Sequence, residues 1–483
     1  MPAVPAALAE THVSVLAFIG DRVYKLKKPV ALGFLDFSTR AARETACHRE
    51  VELNRRLAPD VYLGVAEVLD PQGRPCDHLV VMRRMPVERR LASLVRSGAD
   101  VAGGLRQVAR LVAGFHERCS ASARISSAAT RDAVLGNWED NFAQMAPFVG
   151  PVLAPEVAAG VERLARRYLA GRSALFEHRI ASGMVRDGHG DLLAEDVFLL
   201  EDGPRVLDCI EFDDRLRHGD VLADVAFLAM DLERLGAPHL GRRFLESYAE
   251  FSGKRHPASL VEHYVAYRAH VRAKVACLRH AQGDDGAAGE AAALLGLALA
   301  HLALGRVRMV LVGGLPGTGK STLASALADA SGWTVLRADE VRRDVGRDTG
   351  PAPYGAGAYR RSSLTAVYGE LLERARTALR LGEPVILDAS WRHEEWRQEA
   401  RRVAEDTATD VVELRCEAPL DVAAQRVAGR RPGGGGLSQA TAETVAAMVA
   451  DFEPWPAAAP VDTAGELDAS LRRAIDVVRG DGA

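Results

Sequence analysis

Gly314-Leu315-Pro316-Gly317-Thr318-Gly319-Lys320-Ser321 fits the pattern G-x-x-x-x-G-K-[ST] at every fixed position. The residues before it, Val307 to Val312, are an apolar run long enough for a buried strand, and Ser321 to Ala330 read as a helix with small and apolar residues on one side. A strand, a glycine-rich turn and a helix start form the combination that phosphate binding needs. Glycines let backbone N–H groups close around phosphate oxygens, and the helix start adds its positive dipole end. Lys320 can then reach the β- and γ-phosphates while the Ser321 hydroxyl ligates Mg²⁺. Gly314, Gly317, Thr318, Gly319, Lys320, Ser321 and Thr322 are therefore the expected nucleotide-binding residues, with ATP and Mg²⁺ as the expected ligands.

Working outward, strand-like and helical segments alternate after Gly305, with candidate strands at 307–313, 333–337, 384–388 and 411–415. That alternation predicts an α/β domain with a parallel sheet over 306–483. Asp339 ends the second of these strands. Asp388 closes the third, where it fits either a carboxylate that holds the Mg²⁺ shell or a helix N-cap. Arg426 and Arg430 stand four apart on a predicted helix, which puts both guanidinium groups on one face. They read as a lid over the γ-phosphate or as a solvated basic face, and the RPGGGG run at 431–436 supplies a hinge for the first reading.

The whole chain has 483 residues, enough for two or three domains. Its 61 Lys and Arg against 65 Asp and Glu give a formal net charge of −4, which offers no support for a nucleic-acid or membrane-surface protein. The six cysteines, at 47, 76, 119, 209, 277 and 416, form no C-x-x-C pair, so a reducing, cytoplasmic home is expected. The N-terminus has no basic region ahead of an apolar core, which argues against a signal peptide. The most membrane-like segment, around 291–305, is short, Ala-rich and carries His301, so it reads as a buried or interdomain helix.

The N-terminal half, 1–305, opens on alternating residues: Val13, Val15, Ala17 and Ile19 share a face before a Gly20-Asp21 turn and a returning strand from Arg22 to Lys28. A helix follows across about 40–57, with strands near 62–69 and 78–85, and helical patterns dominate from about 91 to 175. Glu50 is the informative residue in the first helix. It shares an apolar face with Ala46, Leu53 and Leu57, where an unpaired carboxylate would be costly. A lysine from the adjacent sheet, Lys25 or Lys27 with Lys25 favoured, would offset that cost.

Further on stand His189-Gly190-Asp191-Leu192, then Asp196, then Asp208-Cys209-Ile210-Glu211. This order resembles the aminoglycoside phosphotransferase-like branch of the protein-kinase-like fold, over roughly residues 10–280. The resemblance implies an α+β bilobal domain in which Lys25 grips the nucleotide phosphates and Glu50 orients that lysine. It makes Asp191 the catalytic base and Asp196 the first metal ligand. Asp208 takes the second ligand position, with Glu211 a close competitor. A carboxylate beside a substrate hydroxyl orients it and accepts its proton, while a few protein oxygens hold Mg²⁺ on the triphosphate. Asp220 and Asp224 more naturally brace the loop than bind metal. The sequence departs from the family at Asp196, where an Asn is usual, and in lacking a glycine-rich loop over the phosphates.

In the second half, the D-x-x-R pairing of Asp339 with Arg342 resembles the zeta-toxin, gluconate-kinase and polynucleotide-kinase group, in which that Asp positions or deprotonates the acceptor hydroxyl. The two halves together look like the bacterial family that fuses an aminoglycoside phosphotransferase-like domain to a P-loop kinase-like ATPase. The expected function is ATP-dependent transfer of a γ-phosphoryl group to a hydroxyl of a small molecule, with Asp191, Asp339, Arg426 and Arg430 as catalytic residues. Two alternatives stand beside it. One is a regulatory ATP-binding protein whose first domain senses a ligand, and the other is a polynucleotide 5′-hydroxyl kinase. The acidic balance and the absence of an evident aromatic-basic strand path argue against the last.

Overall fold

A computed structural model describes residues 6–11, 13–32, 35–346, 360–429 and 447–480. Residue contacts divide the chain into two units. Unit 1 holds Met1–Arg163, Phe176–His256 and Leu260–Ala303, and unit 2 holds Leu164–Leu175, Pro257–Ser259 and Leu304–Ala483.

Unit 1 begins with strands β1 (Ala6–Glu10), β2 (Ser14–Ile19) and β3 (Arg22–Lys27), then the short pair β4 (Ala31–Leu32) and β5 (Leu35–Asp36). After a helix at Arg40–Asn54 come β6 (Tyr62–Leu69) and β7 (Pro75–Arg83). Five of these strands form an antiparallel sheet in the order β1-β2-β3-β7-β6. Gly20, at φ 59°, supplies the left-handed residue that the two-residue β2–β3 turn requires. The helix starts where the Thr39 side chain accepts the Ala42 N–H at 3.2 Å. It packs Cys47 and Val51 onto Val61, Tyr62 and Val80 of the sheet side. That packing turns Glu50 towards β3.

The rest of unit 1 is mainly helical, interrupted by two small antiparallel pairs. β9 (Val197–Leu200) pairs with β10 (Gly203–Val206), and β8 (Val185–Asp187) pairs with β11 (His218–Asp220). The helices Val221–Arg234 and Ala258–Ala281 follow, and the unit's last helix is Ala287–Leu304. Among the described residues, this last helix alone is long and apolar enough to cross a membrane by length and composition. Its His301 is buried, with Nε2 3.1 Å from Glu233 and Nδ1 on Glu262.

Unit 2 carries β12 (Arg308–Gly313), β13 (Thr334–Arg337), β14 (Val385–Asp388), β15 (Asp410–Glu417) and β16 (Ala459–Asp462). They form one parallel sheet in the order β13-β14-β12-β15-β16. Every residue of β12 is buried, as a central strand covered on both faces must be. Its core gathers Val310, Val312, Leu323, Leu327, Ile386, Leu414 and Val461. The four strands expected from the alternation of apolar segments are present within a residue or two. The fifth, β16, has the sequence Ala-Pro-Val-Asp, too short to stand out from a Pro- and Ala-rich stretch.

Candidate active sites

In unit 1, Lys25 and Lys27 point to the same side of β3, and both reach Glu50. Lys25 Nζ lies 2.9 Å from Glu50 Oε1 and 2.8 Å from Asp208 Oδ1. Lys27 Nζ lies 2.7 Å from Glu50 Oε2 and also pairs with Glu211. Burial works against a charged Glu50, but the two lysines outweigh it and hold its carboxyl below the usual range. The two lysines differ in access. Lys27 and Glu50 are fully shut in, whereas the Asp208 side chain retains 52% of its exposure. Lys25 therefore joins the buried glutamate to a carboxylate that faces open space, and Lys27 is committed to Glu50 and Glu211.

Asp208 sits at φ 64°, uncommon for a residue with a side chain, and its N–H donates to the Tyr62 hydroxyl at 3.1 Å. Lys25 holds its carboxyl below the usual range. The loop carrying Asp191 is braced from behind. Asp224 accepts the N–H groups of His189 at 2.6 Å and Gly190 at 2.8 Å, and it lies 3.2 Å from His116. His189 Nε2 meets the Leu207 carbonyl at 3.0 Å. Gly190 has φ 88°, and a Cβ there would sit 2.9 Å from the Leu216 oxygen. Asp220 caps the helix that bears Asp224 and pairs with Arg179.

Burial raises the Asp191 carboxyl to about 6, with Asp208 adding to the shift. Burial, then Asp208 and Asp191, push Asp196 well above its ordinary value. Three carboxylates thus act on one another, with Lys25 the cation paired among them. Such a set gains from a divalent cation. Among the described residues no three His, Cys, Asp or Glu side chains form a ready cage. Mg²⁺ takes one or two carboxylates and completes its shell with phosphate and water. Asp196 and Asp208 are the residues that would hold it. The sequence did not signal the supporting roles of Tyr62, or of Asn54, whose side chain accepts the Cys209 N–H at 2.8 Å. Neither residue belongs to a recognisable motif.

In unit 2 the loop after β12 is built on left-handed glycines, with φ 139° at Gly314, 85° at Gly317 and 81° at Gly319. A Cβ on Gly317 would stand 2.2 Å from the Ala423 carbonyl oxygen, so only glycine lets the loop close at this point. Thr318 is buried and donates its hydroxyl to the Leu315 carbonyl at 2.8 Å, while Thr463 donates to the Thr318 carbonyl at 2.5 Å. Both bonds stiffen the loop, and the Thr318 side chain itself is turned inward. Lys320, Ser321 and Thr322 open the helix Lys320–Ser331, and Ser321 and Thr322 are exposed.

Asp388, at the end of β14, is 5% exposed and hydrogen-bonds Ser321. Its carboxyl is raised by burial, against the pull of Lys320. This hydroxyl–carboxylate pair beside a lysine is a donor set suited to Mg²⁺ on a triphosphate. Asp339 pairs with Arg342 in the first turns of Ala338–Asp344. Both line a cavity of 60 Å³ together with Lys320, Asp388, Ser390 and Arg392. Ser390, Arg392 and Tyr368 of this wall escaped the sequence reading. Their signal is conformational. Trp391 is buried at φ 51°, and its N–H donates to the Tyr368 hydroxyl at 3.2 Å. Arg426 is exposed on Leu420–Ala428, its Nη1 about one van der Waals contact, 3.8 Å, from where a Gly319 Cβ would be. Arg430 and the RPGGGG run lie outside the described residues.

The chain is similar to several known proteins. The family description "AAA domain" matches residues 309–455. An uncharacterized protein of Mycobacterium tuberculosis (strain ATCC 25618 / H37Rv) is 45% identical over 474 residues, covering 97% of this chain and 95% of its own. A choline/ethanolamine kinase family protein from Mesorhizobium loti aligns over 62% of this chain and 92% of its own, at 16% identity and a TM-score of 0.38. A sugar kinase from Janibacter sp. HTCC2649 aligns over 37% of this chain and 99% of its own, at 19% identity and a TM-score of 0.30. At 45% identity over nearly the full length of both chains, the chain belongs to the family of this mycobacterial protein, and its residues 309–455 carry the AAA domain.

Proposed function

We propose that the chain is an ATP-dependent phosphotransferase with two nucleotide-binding modules, each transferring to a hydroxyl of a small molecule. Bound Mg²⁺·ATP supplies the phosphoryl group in both. In unit 1, Lys25 holds the phosphates and Glu50 fixes Lys25. Asp196 and Asp208 hold the metal, and a carboxylate oxygen of Asp191 takes the acceptor proton. Glu211 is a weaker choice for the metal because Lys27 occupies it. In unit 2 the loop amides and Lys320 bind the phosphates, Ser321 and Asp388 hold the metal, and Asp339 faces the acceptor hydroxyl. Arg426 is placed to balance charge at the loop. Nothing in the net charge favours a nucleic-acid acceptor.

The observation that carries this reading is the continuous line from Glu50 through Lys25 to Asp208, in the same site as Asp191. Its test is nucleotide stoichiometry and product formation for the full chain and for Lys25→Met, Asp191→Asn and Lys320→Ala. Two nucleotides per chain, with Lys25→Met and Lys320→Ala each removing one, support it. One nucleotide per chain, lost with Lys320 alone, overturns it.

A second reading makes unit 1 a ligand sensor that does not turn over. One observation favours it: the β2–β3 turn over the site is only Gly20-Asp21, too short to offer a row of backbone N–H groups to phosphates. Under that reading Asp191→Asn leaves all ATP turnover unchanged.

A further inference from the structure

A cavity of 390 Å³ lies in unit 1 and is lined in part by Gly188 and Asp224, at the root of the loop that carries Asp191. Part of its lining comes from the helix Arg131–Met145 and part from Ala258–Ala281. Its charge is unbalanced once internal partners are counted. Asp213 pairs with Arg215, and Asp220 pairs with Arg179. Asp224 already accepts two backbone N–H groups and faces His116. Arg217 is likewise matched, by Asp187 and Asp214.

Three cations of the wall lack a close carboxylate partner: Arg186, which donates to the Gly183 and Cys119 carbonyls, Lys274 and Arg268. Lys274 makes no ion pair among the described residues; its Nζ donates to Asn141 Oδ1 at 2.7 Å, and burial draws its pKa down. Arg268 stacks on Phe227 at 4.5 Å and donates Nε to the Ala223 carbonyl at 3.0 Å. Its nearest carboxylate, Asp224, is 3.9 Å away. Asn141 is 4% exposed, and its Nδ2 has no hydrogen bond of good geometry, only the neighbouring Tyr267 hydroxyl. A buried donor, a lysine held only by an amide oxygen and an arginine whose carboxylate contact is as long as 3.9 Å leave room for a ligand acceptor atom. Asp140, the remaining carboxylate of the wall, is exposed. An acceptor bearing several ammonium groups would find no buried, uncommitted carboxylate here.

We propose that this cavity binds the acceptor of unit 1, and that the acceptor carries an anionic group, carboxylate or phosphate, seated on Lys274 and Arg268 beside Asn141. The inference rests on the phosphotransfer reading of unit 1, because Arg268 lines the cavity and also acts on the charge of Asp191. The test is calorimetric titration of the full chain carrying Lys320→Ala, which weakens anion binding at the other unit. Glucuronate and glucose 6-phosphate serve as anionic probes, glucose as the neutral one and glucosamine as the cationic one.

At least one anionic probe should bind tenfold or more tighter than glucose. Lys274→Gln should remove that advantage, and Lys274→Arg should restore it with unfolding midpoints unchanged. Which anion binds separates carboxylate from phosphate. The proposal is overturned by glucosamine binding as tightly as either anion, by absence of anion binding, or by anion affinity unmoved in Lys274→Gln and Arg268→Gln. Failure of the phosphotransfer reading shows elsewhere, as product formation unaltered by Asp191→Asn while the Lys274-dependent binding persists.

Discussion

The two units bring a lysine to anions by opposite routes. In unit 2 a single run, Gly314 to Ser321, supplies the candidate phosphate contacts, and most of its specificity lies in the backbone. In unit 1 the candidate contacts come from β3, the first helix, the loop at Asp191 and the segment at Asp208, and they lie in side chains. A backbone site fails when a Cβ is added. A side-chain site fails when a charge is left without its partner.

The largest contrast is expected inside unit 1, between its two lysines. Lys27→Met leaves Glu50 and Glu211 buried with one counter-charge fewer, at a cost of about 3–5 kcal/mol in unfolding free energy. Lys25→Met removes the cation that reaches the open side of the site. It should lower unit 1 transfer about 10³-fold, roughly 4 kcal/mol of transition-state stabilisation, with a smaller loss of stability. Denaturant unfolding and product formation, measured on both variants, separate the two roles. Equal effects on both measurements would erase the distinction between the exposed and the enclosed lysine.

Gly317→Ala probes the backbone site. The added methyl meets the Ala423 carbonyl and a φ of 85°, so the loop must shift at a cost of about 2–3 kcal/mol. ATP affinity at unit 2 should fall 30-fold or more by calorimetric titration, while binding at unit 1 is unaffected. Retention of full affinity would mean that the loop rearranges to receive phosphate.

This contrast explains how much was legible in advance. A contiguous motif between an apolar strand and a helix carries its own context, so β12, the loop and Asp388 could be placed from the letters alone. The Lys–Glu pairing in unit 1 was legible because a glutamate on an apolar helix face demands a cation. The ion pairs of Asp208 and Glu211 were not, because which lysine each one meets depends on the fold. Nor was Trp391: a left-handed φ on a bulky residue leaves no trace in composition. The cavity lined by Gly188 and Asp224 was hidden for a related reason, since its charge balance emerges only after every ion pair is counted.

Asp224 tests whether the distributed site also depends on its backing. Asp224→Asn keeps the shape but gives the N–H groups of His189 and Gly190 a neutral acceptor and removes the charge facing His116. We expect about 2 kcal/mol lower stability. Unit 1 transfer should drop further than that loss of folded protein alone explains, because Asp191 loses its fixed position. Transfer that tracks only the folded fraction would assign Asp224 to stability alone.

The smallest expected effect belongs to His301, which ties the apolar helix Ala287–Leu304 to the rest of unit 1. Burial opposes its charge, but Glu233 and Glu262 overcome that and raise its pKa to about 9, from an ordinary 6.5. The folded state thus binds the proton more tightly than the unfolded chain. The resulting stability is fully present below about pH 6.5 and is lost as pH rises through 9. Both glutamates remain partly exposed, so the contribution should be about 1 kcal/mol. An NMR titration of the imidazole should show a midpoint near 9, and His301→Gln should reduce stability at pH 6 but hardly at pH 10. A midpoint at or below 6.5 would mean that the two carboxylates do not grip this histidine in solution.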